Sequence, residues 1–280
     1  MNAKRTNIEQ AEIDRSPEDQ LEPKKSSRQI LILELIEGIS AMQRSGVGLL
    51  ISGFSAGLDI GFSVLLMGVL LTFTEGQLPD AIIKLLMANM YSVGFIFVVI
   101  GRSELFTEQT TLAVLSVLGG RTGLGALGRL WGIVLAANLV GAALMAGFIV
   151  IIGPALGVIR PEVLSGIALK MTDDSMLVIF GSAVLAGWLM GLMSWLVAAS
   201  RETTSQIIIT WIIAFVIGLT GLHHVIVGSV EVLAGVFAGD QVGWIDYGRF
   251  LLMATLGNAI GGSVFVALIK YAHAVRGEQR

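Results

Sequence analysis

TGLHHVIVGS, residues 220–229, sets two adjacent histidines and two glycines between long apolar stretches. A hydrocarbon layer about 30 Å thick needs roughly 20 mostly apolar residues per helix. Four runs reach that length cleanly, about 46–73, 126–152, 177–199 and 248–272. Two further regions, 81–119 and 205–238, are too long for one span and too short for two with an ordinary loop. Each is interrupted midway, by GRSELFT at 101–107 and by GLTGLHH at 218–224. The reading that follows is an all-α membrane protein of six spans, the second and fifth of them broken.

The halves can be laid over one another. Arg129, Asn138 and Gly141 in RLWGIVLAANLVG reappear 120 positions later as Arg249, Asn258 and Gly261 in RFLLMATLGNAIG. That offset carries Glu104 onto His224, so the two breaks correspond. Three spans per half is odd, which implies an inverted 3+3 repeat with a site between the halves. Unwound backbone survives at membrane depth only where protein or a water-filled cavity satisfies it. Half-helix ends facing that cavity favour an anion or an electron-rich neutral solute.

Composition agrees. The chain is 54% hydrophobic and 14% charged, far from a soluble balance. Its charge gathers in the ends and connectors, giving a polar tail at 1–28 expected to be disordered, an amphipathic interfacial helix at 29–45, a six-span domain at 46–273 and a short tail at 274–280. With both termini cytoplasmic, thirteen Lys and Arg lie inside and four (Lys84, Arg160, Lys170, Arg249) outside, leaving Arg102 at membrane depth. The opening residues carry no apolar core of a secretory signal. Cysteine is absent, so thiolate chemistry and thiolate metal sites are excluded. The three histidines have no third ligand at recognisable spacing, and no nucleophile has a positioned base. Neither metal, cofactor, enzyme activity nor nucleic-acid binding is expected.

SELFT at 103–107, NLVGA at 138–142, LTGLHH at 219–224 and LGNAIGG at 256–262 resemble the signature segments of the formate/nitrite transporter family, over about residues 30–272. The chain looks most like the YfdC-type inner-membrane branch. The resemblance implies an aquaporin-like protomer, a homopentamer in the bacterial inner membrane with one pore per protomer, and passage of small monovalent weak-acid anions or their neutral acids. Carried over by motif, the narrowest part falls on Phe106, Thr107 and His224, with apolar constriction positions at Tyr91, Phe95 and Ile217. The family's lysine falls on Met171, with Lys170 beside it, and its asparagine four residues after the histidine is replaced by Gly228.

Histidine suits a pore that neutralises its cargo midway, because a bare anion loses far more solvation than its acid and imidazole exchanges protons near neutral pH. On that expectation His224 is the proton donor, Thr107 its hydrogen-bond partner, and Lys170 an attractor of anions or an ordinary interfacial lysine. The competing reading makes His224 a structural group bonding freed backbone. Arg102, Glu104 and His223 are expected to stabilise the breaks, Arg102 and Glu104 as a pair. Asn138, Gly141, Asn258 and Gly261 are read as helix packing. Two rival functions remain, a pore for a small neutral solute and a membrane scaffold or regulator that does not transport.

Overall fold

The computed structural model describes residues 24–239 and 241–276. Among them every regular element is a helix. An initial helix α1 (Ser27–Gln43) precedes six helices long and apolar enough to cross a membrane. These are α2 (Gly46–Thr74), α3 (Asp80–Gly101), α5 (Leu124–Ala155), α7 (Met176–Ala199), α8 (Thr203–Thr220) and α10 (Trp244–Ile260), the last running on through a π-helical stretch (Gly261–Leu268) into α11 (Ile269–Arg276). Three shorter helices complete the bundle, α4 (Phe106–Leu118), α6 (Pro161–Thr172) and α9 (Val225–Ala238). The second span thus stops at Gly101 and a separate helix begins at Phe106; the fifth stops at Thr220 and another begins at Val225.

Two close crossings organise the core. α2 lies against α5 where Gly57 and Gly141 meet backbone of the opposing helix, and α7 lies against α10 where Gly187 faces the Asn258 backbone. A methyl at any of these glycines would collide with main-chain atoms, so the helices approach as only small residues allow. In the last span Thr111 donates to the carbonyl of Gly262, and Ser263 donates to that of Thr110. These bonds tie the π-helical stretch to α4.

α1 buries an acid along with its apolar side. Its buried side consists of Ile30, Leu31, Glu34, Gly38, Ala41 and Met42, whereas Ile36 is exposed. Glu34 is tolerated inside because the Ser194 hydroxyl reaches both its oxygens, at 2.8 and 2.9 Å, and burial pushes its carboxyl up to about 8. The expected tail boundary also moves. Residues 1–23 and 277–280 lie outside the described part, but Lys25 is docked: its ammonium donates to the carbonyls of Ala198 (2.6 Å) and Ser200 (2.7 Å) at the end of α7.

Candidate pore

Each break is closed by an asparagine from the following span. Asn138 on α5 accepts from the Phe106 N–H at 2.8 Å and donates to the carbonyls of Gly53 and Glu104. Asn258 on α10 accepts from the Val225 N–H at 2.8 Å and donates to those of Ala183 and His223. The sequence places these asparagines as helix packing; they are also the anchors of the two interrupted segments. The bonding corrects the register between the breaks. Glu104 is matched by His223, and Leu105 by His224, an offset of 119 across the break and not the 120 of the asparagines. The caps agree, since α3 ends in the left-handed region at Arg102 and α8 does so at Gly221.

The expected Arg102–Glu104 pair does not form. Arg102 turns the chain with its backbone, at φ 55°, while its side chain is 75% exposed and lies 3.8 Å from Glu37 on α1. Glu104 points inward, to Arg44 at 2.8 Å and to the Gln109 amide at 2.5 Å, and its own N–H donates to Ser52. The reason is geometric: the left-handed backbone of Arg102 itself turns its side chain outward, away from the inward-facing Glu104.

At the centre the two half-helices meet end to end. Thr107, in the first turn of α4, places its hydroxyl 2.8 Å from Nε2 of His224, the N-cap residue of α9. Nδ1 of the same ring accepts from the N–H groups of Ile226 and Val227, at 3.3 Å each. With Nδ1 engaged as an acceptor, the ring proton sits on Nε2 and is donated to Thr107. Phe95 stands edge-on to the imidazole, centroids 5.0 Å apart, and Tyr91 lies 5.3 Å from Phe95. Phe106 is held against Trp131, whose indole N–H donates to the Gln109 carbonyl. His224, Thr107, Phe106, Phe95, Tyr91 and Ile217 are all buried, a dry plug across the middle.

His223 turns away from this plug. Its backbone N–H and Nδ1 both engage Ser182, and its ring packs on Phe250. Gly228 faces that same Phe250, whose ring occupies the place where a Cβ would stand. A longer side chain such as asparagine would require the buried Phe250 ring to move.

A cavity opens on either side of the plug. Towards the α1 end, about 560 Å³ is bordered by Glu37, Arg44, Arg102, Glu104, Glu108 and Gln109 among others. Towards the α6 end, about 220 Å³ is mostly apolar but includes Lys84, Lys170 and Glu231. Lys170 and its neighbour Met171 both border this second cavity, as do Tyr91 and Ile217. Lys84, Glu108 and Glu231 were absent from the candidates read from sequence. For Glu231 the signal was available: a lone acid within the apolar run VIVGSVEVLAGVF. No group of three or more His, Cys, Asp or Glu suited to a metal occurs among the described residues.

The model for the formate/nitrite transporter family matches residues 34–272. The chain belongs to this family. It is 34% identical over 259 residues to the inner membrane protein YfdC of Escherichia coli K12, covering 90% of this chain and 80% of that one. It is 28% identical to the nitrite transporter NirC of the same organism, over 79% of this chain and 82% of NirC. Among solved structures, an FNT family ion channel superposes with a TM-score of 0.75 at 22% identity, over 86% of this chain and 97% of the other. A pentameric formate channel with formate bound gives 0.69 at 22% identity, over 82% and 98%. These structures establish that this family member shares their fold.

Proposed function

We propose that this chain forms a multi-pass inner-membrane channel for small monovalent weak-acid anions, assembled as a homopentamer with one pore in each protomer. The halves would act as an inverted pair, with both termini and α1 on the cytoplasmic side. The observation that carries the reading is the His224–Thr107 contact at 2.8 Å, enclosed by Phe95, Tyr91 and Ile217 between two cavities of which one is bordered by Lys84 and Lys170. Positive potential draws an anion in, the apolar collar strips its water, and Nε2–H of His224 replaces part of the lost hydration. Names borne by relatives, a nitrite transporter and a formate channel, point to cargo of that size and charge.

One observation favours a second reading. Because Nδ1 of His224 caps α9, the ring holds a single proton and acts as a hydrogen-bond donor; surrendering that proton would leave an imidazolate. His224 can protonate cargo only after Nδ1 leaves the cap. A ring fixed this way also suits a small neutral solute.

Uptake into proteoliposomes of formate, nitrite, hydrosulfide and acetate across a pH series, with His224→Asn as control, separates the possibilities. Flux of at least one anion, reduced in the variant, is expected. Flux equal to that of empty liposomes for all four overturns the anion reading, and swelling measured by light scattering in neutral solutes would then establish the second.

A further inference from the structure

Glu231 is 3% exposed and borders the cavity at the α6 end. Among the described residues nothing donates a hydrogen bond to its carboxyl and no cation lies within ion-pair distance. A buried acid in an apolar helix with no protein partner differs from Glu34, Glu104 and Asp59, which engage Ser194, Arg44 and Ser55. Among the described residues its polar surroundings are the cavity and the groups that line it. The polar side chains among them are Tyr91 and Lys84 from α3, Lys170 from α6, and Thr220 from α8, whose hydroxyl donates to the Val216 carbonyl. On α10, Tyr247 is engaged with Ser229 at 3.4 Å, and α2 offers the apolar Met67 and Leu71.

The position on α9 is equally particular. Glu231 stands seven residues after the N-cap His224, two turns along the same face, or about 10 Å of rise. Between them on that face is Gly228, which adds no side chain. A carboxylate left ionised here without a donor would lose its hydration uncompensated, whereas the protonated acid would not.

We propose that Glu231 is the proton-transferring group of the outer cavity: protonated while the cavity is empty, it neutralises an incoming monovalent anion before the Tyr91–Phe95 collar. This rests on the anion-channel reading above and supplies what the capped His224 ring does not. Lys84 and Lys170 at the mouth concentrate the anion. The O–H bond of Glu231 breaks as an O–H bond forms on the cargo, which enters the plug as its neutral acid. The carboxylate left behind takes a proton from external water, so one proton accompanies each anion and no net charge crosses.

The test uses the full-length protein in proteoliposomes, with formate as probe and external pH varied from about 5 to 8. Wild type, Glu231→Gln and Glu231→Asp are compared after size-exclusion chromatography has matched their assembly. Glu231→Gln is expected to lose about tenfold or more of formate uptake at neutral pH, with little loss at pH 5, where bulk formic acid serves. Glu231→Asp is expected to restore the neutral-pH flux. In parallel, infrared spectroscopy should show a protonated-carboxyl C=O band that weakens when formate is added and is missing in Glu231→Gln. A wild-type rate and pH profile in Glu231→Gln overturns the proposal alone. So does a uniform loss at every pH without rescue by aspartate, or an infrared band indifferent to the substitution. Absence of flux in wild type for every anion overturns the channel reading and this proposal with it.

Discussion

At the scale of single residues, the central pair makes a direct prediction. Thr107→Val keeps the shape of the plug but leaves the Nε2–H of His224 without an acceptor, a buried loss of about 1–3 kcal/mol. Formate flux is expected to fall about tenfold, with Thr107→Ser close to wild type; equal rates for all three would show that the contact is idle. Glu34 predicts a pH dependence of stability. Its carboxyl is raised to about 8 in the fold, so the stabilising form is the protonated one. Stability is greatest below the ordinary carboxyl range near 4.5 and declines by about 1.4 kcal/mol per pH unit up to about pH 8. Glu34→Gln removes that slope, so its melting temperature should exceed wild type by several degrees at pH 8 and match it at pH 4.5. Arg102→Gly tests the corrected bend. With only an exposed 3.8 Å contact to lose and a left-handed residue relieved, it should shift melting by no more than about 2 °C.

At the scale of elements, the paired asparagines bear the load of both breaks. Asn138→Ala leaves the Phe106 N–H and the Glu104 carbonyl unbonded, and Asn258→Ala does the same to the Val225 N–H and the His223 carbonyl. Each should cost on the order of 3 kcal/mol, about 10 °C of melting temperature, measured on the purified assembly. Much of this level was legible. Hydropathy marks the spans, polar islands mark the breaks, and Asn138 and Asn258 stand out by spacing alone. What stayed hidden depends on partners distant in the chain. Arg44 reaches Glu104 across 60 positions and Lys25 reaches Ala198 across 173. Periodicity likewise gave no sign that Glu34 faces inward, because Ser194, which makes that burial tolerable, belongs to another helix. The one-residue difference between the 119 and 120 offsets is also invisible without the hydrogen bonds.

For the whole molecule, sidedness and assembly carry the predictions. The chain contains no cysteine, so single substitutions report cleanly. Lys84→Cys and Lys170→Cys should react with a membrane-impermeant maleimide added to intact cells, and Arg121→Cys only after the membrane is opened. The reverse pattern would invert the topology. Native mass spectrometry in mild detergent should give five copies, and any other dominant number would refute the pentamer. The side chains that make the plug were named from sequence through family motifs; the cavities beside it were not, since a void is a property of how helices pack and no residue encodes it alone.

The cap on His224 joins two matters usually kept apart. The first-turn amides of α9 hold the ring by Nδ1, so the mechanical integrity of that turn and the chemical character of the proposed pore are one degree of freedom. Whatever loosens the turn, whether heat or a substitution far along α9, also frees the imidazole to rotate. Discrimination between solutes should therefore fail on warming before any folded protein is lost, and the temperature at which it fails becomes a gauge of helix fraying.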